Sequence, residues 1–460
     1  MNRLQSLAKI ILFNVAISVL VMPAEADSAR NLLPELIPER QRLLDAWWSD
    51  PSQSSVPLAT AKLVWRLSRV STESLDRLAV SQQDADLSEL EVFETVSISG
   101  RAQTIRQIKV PESLSESLGM ESIWIVEAKS GKDSFAVLCK SVPAQWVGQP
   151  EIDQPIRATS VVVVQSTTDN PRPLMVSPNV GWYPDSTSES LGVSAGWVEL
   201  ADAGFDAGQF TLIRKKNRTS LSSSESPAFY EFLSCSREPV SADTEAVDLV
   251  PSQIETVDLL KSADLIGDYV RLRVETARIQ HVYDASMLSK IGQDHYWEID
   301  AFGDLENVRI QAKSSDGDDK IEFGNRYPVT IMTLELPSEL SSLVQDGGTV
   351  TKAMLMHQTT LDVDGFFYRL WSYDTDFIGS RGGDQQIGPL IAARHIRVVT
   401  PTKVTASSQQ LGWIAAGGFF FCLTATILYI VTVGKIDKTA GRSRHAALPQ
   451  DISLSVSDDS

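Results

Sequence analysis

Alternating apolar and polar positions dominate the chain between residues 90 and 402. A period of two, in runs rich in β-branched and aromatic residues, is typical of strands that bury one face. The clearest runs cover residues 96–98, 123–126, 158–164, 269–274 and 328–333. Helical spacing is confined to residues 38–48, 58–67 and 228–233 and to a stretch that begins at residue 72, whereas 191–200 are expected to form a turn and a strand. The pattern predicts a mainly β fold with short helices at the N-terminus and between two β regions.

The chain also repeats a series of short motifs in one order. IWIVEA at 123–128 matches YWEIDA at 296–301, and a glycine-containing segment precedes each motif. Further pairs follow: 136–141 with 308–314, 152–157 with 321–326, and 173–180 with 389–396. Arg157 and Arg326 fall at matched places, where each is expected to form a structural ion pair. The repeat predicts two related β modules.

These modules are expected over residues 90–185 and 266–402. Their order of strands and glycines resembles an OB-type barrel, and a β-sandwich is the alternative. The second module carries an insertion at 336–357 and an extra aromatic strand at 365–373.

The two ends of the chain predict export and anchoring. Arg3 and Lys9 precede a short apolar run and a small-residue cleavage site, which is typical of a signal peptide. Residues 412–434 carry no charge and are followed by Lys435 and Lys438, so they are expected to span the membrane with the tail in the cytoplasm. The expected localisation is the cytoplasmic membrane, with one span and an extracytoplasmic N-terminal part.

The predicted organisation has eight parts along the chain. They are a signal peptide (1–26), a helical N-terminal segment (27–89), β module 1 (90–185), an inter-module region and linker (186–265), β module 2 (266–402), a stalk (403–410), a transmembrane helix (411–434) and a cytoplasmic tail (435–460).

Charge and cysteine content narrow the choice of partners. The formal net charge is −18, which disfavours nucleic acid because a negative field repels phosphate backbones. Three cysteines do not make a disulfide framework. Cys139 and Cys235 are expected to be buried thiols, and a bridge between them is the alternative.

Two motifs of nucleotide and metal chemistry are absent from the sequence. It has no phosphate-binding glycine loop and no His-Glu-x-x-His pair. The acidic cluster at 316–319 fits a hairpin turn better than a calcium loop. We therefore expect no catalytic residue, cofactor or metal, and lean towards a protein that is not an enzyme.

The aromatic stretch FFYRLWSY at 366–373 is the best candidate for a binding surface. Strand alternation places four residues on one face, namely Phe367, Arg369, Trp371 and Tyr373, and we predict that they contact a partner. The alternative is that one face is core and the other packs against the inserted segment.

Four stretches, at 180–185, 191–194, 294–300 and 365–371, are similar to those of uncharacterised single-span exported membrane proteins of planctomycete-type bacteria. That resemblance implies no activity. The leading hypothesis is a non-enzymatic, membrane-anchored cell-envelope protein whose β modules bind a protein or an envelope polymer. The alternatives are an extracytoplasmic hydrolase with a dispersed carboxylate site and a sensor that relays to the short tail.

Overall fold

The computed structural model describes residues 33, 36–49, 58–79, 87, 89–167, 172–237, 249–283, 287–313, 320–341, 344, 352–354, 359–375 and 385–399. The predicted signal peptide, stalk, membrane helix and tail lie outside the described residues. In the part of the chain that the structure describes, no helix is both long enough and apolar enough to cross a membrane. The described part is mainly β, with two large sheets and short helices, as the sequence pattern predicts.

The first sheet closes on itself. Its strands are β1 (Thr95–Lys109), β2 (Ser122–Ser130), β3 (Asp133–Cys139), β4 (Gln154–Val164), β5 (Leu174–Val176) and β6 (Gly181–Trp182). β1 pairs with both β2 and β4, β2 pairs with β3, and β5 joins β3 in parallel and β4 in antiparallel orientation. Five strands therefore form a ring in the order 1-2-3-5-4, and β6 adds to β4. The ring removes the open edges of the sheet.

The second sheet closes in the same way. Its strands are β7 (Ser252–Gln253), β8 (Tyr269–Tyr283), β9 (His295–Asp304), β12 (Arg326–Thr333), β13 (Lys352–Met354), β14 (Thr360–Tyr373) and β15 (Gln386–Val398). β8 pairs with β9 and β14, β9 with β12, and β15 joins β12 in parallel and β14 in antiparallel orientation. β7 and β13 pair with β8 outside this ring. β10 (Ile310–Lys313) and β11 (Lys320–Phe323) form a separate hairpin, which the sequence also predicts.

The strand order of the two rings shows which of the predicted motif matches fall on equivalent strands and which do not. β2 and β9 hold the same place, as do β5 and β15, so those two motif matches fall on equivalent strands. The other two matches are wrong, because they set β3 against the inserted hairpin and the start of β4 against the start of β12. Arg157 and Arg326 therefore hold different places. Arg157 stacks on Tyr183, while Arg326 pairs with Glu275 at 2.7 Å.

A glycine marks the approach to the second strand in both rings. α4 (Glu112–Leu118) ends at Gly119 with φ 59°, and α9 (Leu288–Ile291) ends at Gly292 with φ 74°. The left-handed conformation after a helix favours glycine, because any side chain there is strained. This match was visible in the sequence.

The N-terminal helices cover one face of the first barrel. α1 (Pro38–Ser49), α2 (Leu58–Leu67) and α3 (Thr72–Asp76) share an apolar cluster with alternate residues of β2 to β5, among them Ile123, Ile125, Ala136 and Leu138. The residues between them, such as Val126 and Val137, belong to a different cluster. Helices do not fit inside a five-stranded barrel, so α1–α3 cover its outside.

Further helices connect the two barrels. They are α5 (Ala195–Asp202), α6 (Phe210–Lys215), α7 (Ser226–Arg237) and α8 (Thr256–Lys261), and α10 (Ser338–Ser341) follows β12. One apolar cluster includes residues of both barrels and of α5–α8, and the described residues up to 399 belong to one compact unit. The strand expected within 191–200 is wrong: the Ser194 hydroxyl accepts from the Trp197 N–H at 3.4 Å and starts α5.

Candidate functional site

The predicted binding residues lie on the second half of β14, and the structure buries two of them completely. Phe367 and Arg369 are both 0% exposed. Trp371 and Tyr373 are half-buried and stack on each other, with ring centroids 4.7 Å apart. Phe367 and Arg369 therefore present no exposed surface to a partner, because both faces of β14 are packed here.

Arg369 is buried by a clamp that joins β14 to the inter-module region. Its guanidinium binds both carboxylate oxygens of Glu225, with Nε–Oε1 at 2.6 Å and Nη2–Oε2 at 2.8 Å. The side chains of both residues are fully buried. The Tyr368 hydroxyl donates to the same carboxylate at 2.9 Å, and Arg369 Nη1 donates to the Thr219 carbonyl at 2.7 Å. A bidentate pair of this kind is geometrically specific.

Residues 217–220 run alongside β14 and extend its hydrogen bonding. The Leu370 N–H donates to Asn217 Oδ1 at 3.0 Å, and the Arg218 N–H donates to the Leu370 carbonyl at 2.8 Å. Thr219 forms an isolated parallel bridge with Trp371. Arg218 is held at φ 68°, a conformation that side chains other than glycine rarely adopt.

A cavity of about 380 Å³ opens at the end of the second barrel beside this segment. Tyr327, Leu370 and Ile387 line it from β12, β14 and β15. Tyr327 and Ile387 lie near the starts of the parallel strands β12 and β15. Leu370 lies near the end of β14, which is antiparallel to β15, so all three lie at one mouth of the barrel. The remaining apolar lining comes from α8 and the chain around β10: Val257, Leu260, Val308 and Ile310.

The polar lining of this barrel-mouth pocket is cationic or neutral. It consists of Arg218, Lys261, Tyr327, Gln311, Gln385 and Gln386, with no carboxylate among the described residues. The Tyr327 hydroxyl donates to the Ile387 carbonyl at 2.7 Å, and burial raises the pKa of that hydroxyl. Arg218 Nη2 donates to the Leu260 carbonyl at 3.2 Å.

Sequence reasoning missed this pocket. In the sequence, residues 217–219 show only an N-x-Thr motif, and nothing local connects them to Lys261 or to Tyr327. The one available signal was chemical, because the three basic residues in KKNR at 215–218 interrupt an acidic chain.

Two buried carboxylates form a second cluster, between the barrels. Burial raises the pKa of Asp206 to about 6 and raises the pKa of Glu231. Asp206 accepts from the N–H groups of Trp182 and Gly208, each at 2.8 Å, and from the Asn179 amide at 3.0 Å. Glu231 accepts from Gln209 at 2.5 Å and from the Asp206 N–H at 3.1 Å. Protein donors thus occupy both carboxylates, which fits a structural role.

Histidines and cysteines show no metal or redox site in the described residues. His281 and His295 lie with ring centroids 4.5 Å apart, and His295 Nδ1 lies 2.9 Å from Asp294. The described residues include no group of three potential ligands that could hold a metal. Cys139 and Cys235 are both buried and free, so the disulfide alternative does not hold.

Comparison with known proteins adds little to this geometry. No family model and no curated protein matches the chain. Among solved structures, a replication protein A heterotrimer bound to single-stranded DNA is 11% identical, over 72% of this chain and 71% of that one, with a TM-score of 0.16. A likeness at that TM-score carries no argument about fold or function.

Proposed function

We propose that this protein is a membrane-anchored, extracytoplasmic binding protein without catalytic activity. It carries two OB-type barrels, and the second barrel takes up a ligand at its mouth. The observation that carries the proposal is the barrel-mouth pocket, because barrel mouths are a preferred location for ligand sites. Its volume of about 380 Å³ lies within the roughly 300–1,000 Å³ of such sites.

The strand pairings support the OB-type assignment. Each ring has five strands and closes through a first strand that pairs with two neighbours, as expected for a five-stranded Greek-key barrel. A sandwich would instead place two separate sheets face to face.

The two barrels differ in what covers them. In OB folds the face of the second and third strands is a ligand surface. In the first barrel that face lies under α1 and α2, and Trp47 and Trp48 are buried against it. A structural role for the first barrel and a binding role for the second follow from this difference.

The hydrolase alternative needs two carboxylates of shifted pKa that face a substrate. Asp206 and Glu231 have shifted pKa values, but the oxygens of both accept hydrogen bonds from the protein itself. Their raised pKa values are explained by burial and do not favour the hydrolase reading.

A ligand screen on the full-length protein tests the binding role. Val308 at the pocket rim is 42% exposed, so Val308→Trp is expected to block the mouth without disturbing the core. Val147, which is 52% exposed on the first barrel, provides the matched control Val147→Trp. In ligand-observed NMR we expect hits that bind the wild type and Val147→Trp but not Val308→Trp. A screen in which no hit responds to Val308→Trp refutes the proposal.

The anchoring part is tested separately. We expect the full-length chain to remain in the membrane fraction after alkaline carbonate extraction, and a chain ending at residue 405 to be released. Release of both chains refutes a membrane-spanning anchor.

A further inference from the structure

We propose that the ligand of the barrel-mouth pocket is an amphipathic anion: an apolar body that carries one carboxylate, phosphate or sulfonate group. Arg218 and Lys261 hold the charged head, and the apolar wall holds the body. This inference rests on the proposed binding function and specifies its ligand.

The charge distribution at the pocket is the first argument. The chain has 59 acidic and 41 basic residues, and many of the described arginines have carboxylate partners, as in the pairs of Arg101 with Asp153 and of Arg271 with Asp364. At the pocket, neither Arg218 nor Lys261 forms a salt bridge with a described residue, and no described carboxylate lines the cavity. The charge of Lys261 interacts with that of Glu255, which is not part of the lining. Two cations without salt bridges at one cavity in an acidic protein favour an anionic ligand.

The free donors are the second argument. A guanidinium has five N–H donors and an ammonium has three. Within the described residues, Arg218 donates one side-chain hydrogen bond, to the Leu260 carbonyl. Most of its fork therefore remains available for an oxyanion, and charge-assisted hydrogen bonds to such a group are the strong ones.

The backbone at Arg218 is the third argument. Its φ of 68° would suit glycine, yet the position carries the long cationic side chain. Non-glycine residues in this region carry strain, and such strain collects at functional sites. The N–H of Arg218 and the side chain of Asn217 hold this conformation by hydrogen bonds to Leu370. A glycine could make the same backbone hydrogen bond, so the turn itself does not require the arginine side chain.

The apolar part of the lining suits an apolar body. Leu370 and Ile387 present aliphatic surface, and the Tyr327 hydroxyl already donates to the Ile387 carbonyl. Tyr327 therefore lines the pocket with its hydrogen-bond donor occupied. A cavity of about 380 Å³ takes a small molecule or the end of a chain rather than a folded partner.

Calorimetric titration with two matched probes tests the inference. Naphthalene-2-carboxylate and naphthalene-2-carboxamide have nearly the same shape and differ in charge. The full-length protein is studied in phosphatidylcholine nanodiscs, with empty nanodiscs as the blank. We expect the carboxylate to bind the wild type roughly tenfold or more tightly than the carboxamide.

Variants assign the preference to the two cations. Arg218→Gly suits the left-handed backbone conformation and is expected to remove most of the preference for the carboxylate, without changing the affinity for the carboxamide. Arg218→Lys, which retains the charge, should retain part of the preference, and Lys261→Met should reduce it. Equal loss for both probes in Arg218→Gly would show that Arg218 only shapes the pocket, and would overturn the inference.

The remaining outcomes separate this inference from the proposed function. Equal binding of both probes, blocked by Val308→Trp, overturns the anion but leaves the binding function standing. Titrations that Val308→Trp does not change overturn both. Repeating the carboxylate titration in nanodiscs with phosphatidylglycerol distinguishes two sources of the anionic ligand. Weaker binding of the probe there assigns the head group to a lipid, and unchanged binding assigns it to a soluble acid. Both results support an anionic ligand.

Discussion

The clamp between Glu225 and Arg369 should dominate the stability of the second barrel's contact with the inter-module region. Both side chains are 0% exposed and share a bidentate pair. Removing one partner leaves a buried charge without compensation, which costs about 3–5 kcal/mol, whereas replacing both with apolar residues is often close to neutral. We therefore expect Glu225→Leu and Arg369→Met each to cost about 3–5 kcal/mol, and the double variant to cost far less than their sum.

Urea denaturation of the full-length protein, followed by tryptophan fluorescence, gives these free energies. Equal slopes for all variants are required before midpoints are compared. The matched control is Arg309→Met, which breaks the pair of Arg309 with Glu322; those side chains are 76% and 41% exposed. An exposed pair contributes about 0–1 kcal/mol. Additive single and double variants, or single variants no worse than the control, would refute the reasoning. Since a domain is stable by only about 5–15 kcal/mol, Glu225→Gln provides a milder change.

Three further predictions test other parts of the structure. Asp206 has a folded pKa of about 6 against an ordinary 3.8, so the unfolded chain releases this proton first and stability falls as pH rises between those values. Asp206→Asn should remove this loss of stability, of order 2–3 kcal/mol at pH 7, in denaturation curves recorded at pH 4 and 7. Equal pH dependence of the two proteins would contradict the prediction. Arg218→Gly should be within about 1 kcal/mol of the wild type or more stable, because glycine relieves the φ of 68°; a larger loss in urea would mean that the side chain is structural. Burial raises the pKa of Cys139 to about 12, so iodoacetamide should label it, by mass spectrometry, only after unfolding; rapid labelling of the native protein would contradict its burial.

Strand periodicity predicted much of the fold because burial of one face of a strand produces an alternating pattern within a few neighbouring residues. β2 and β9 were matched from the similarity of their motifs, and Gly119 and Gly292 from the glycine-containing segment that precedes each motif. The equivalence of β3 in the first barrel and β12 in the second was missed, because the hairpin of β10 and β11 is inserted between the second and third strands of the second barrel. That hairpin has the same alternating pattern as a barrel strand, so sequence offers no means of discarding it.

The candidate site was less accessible to sequence reasoning because its contacts are distant in the chain. Arg369 and Glu225 are 144 positions apart, and Arg218 meets Leu260 across 42. Alternation along β14 placed Arg369 on the candidate partner-binding face, since nothing in residues 366–373 shows which other segment covers them. Burial of both faces of a strand can be predicted only when the segments that cover each face are known.

The two barrels illustrate how one topology is adapted by what is added to it. The helices of residues 38–76 close the outer face of the first barrel with apolar contacts that include Trp47 and Trp48. In the second barrel, residues 217–225 are fixed along β14 by the buried clamp, and α8 flanks the mouth. The clamp therefore places Arg218 at the pocket rim, and its loss should weaken carboxylate binding even in a variant that remains folded. In the proposed binding function, these added segments rather than the barrel itself provide the ligand contacts.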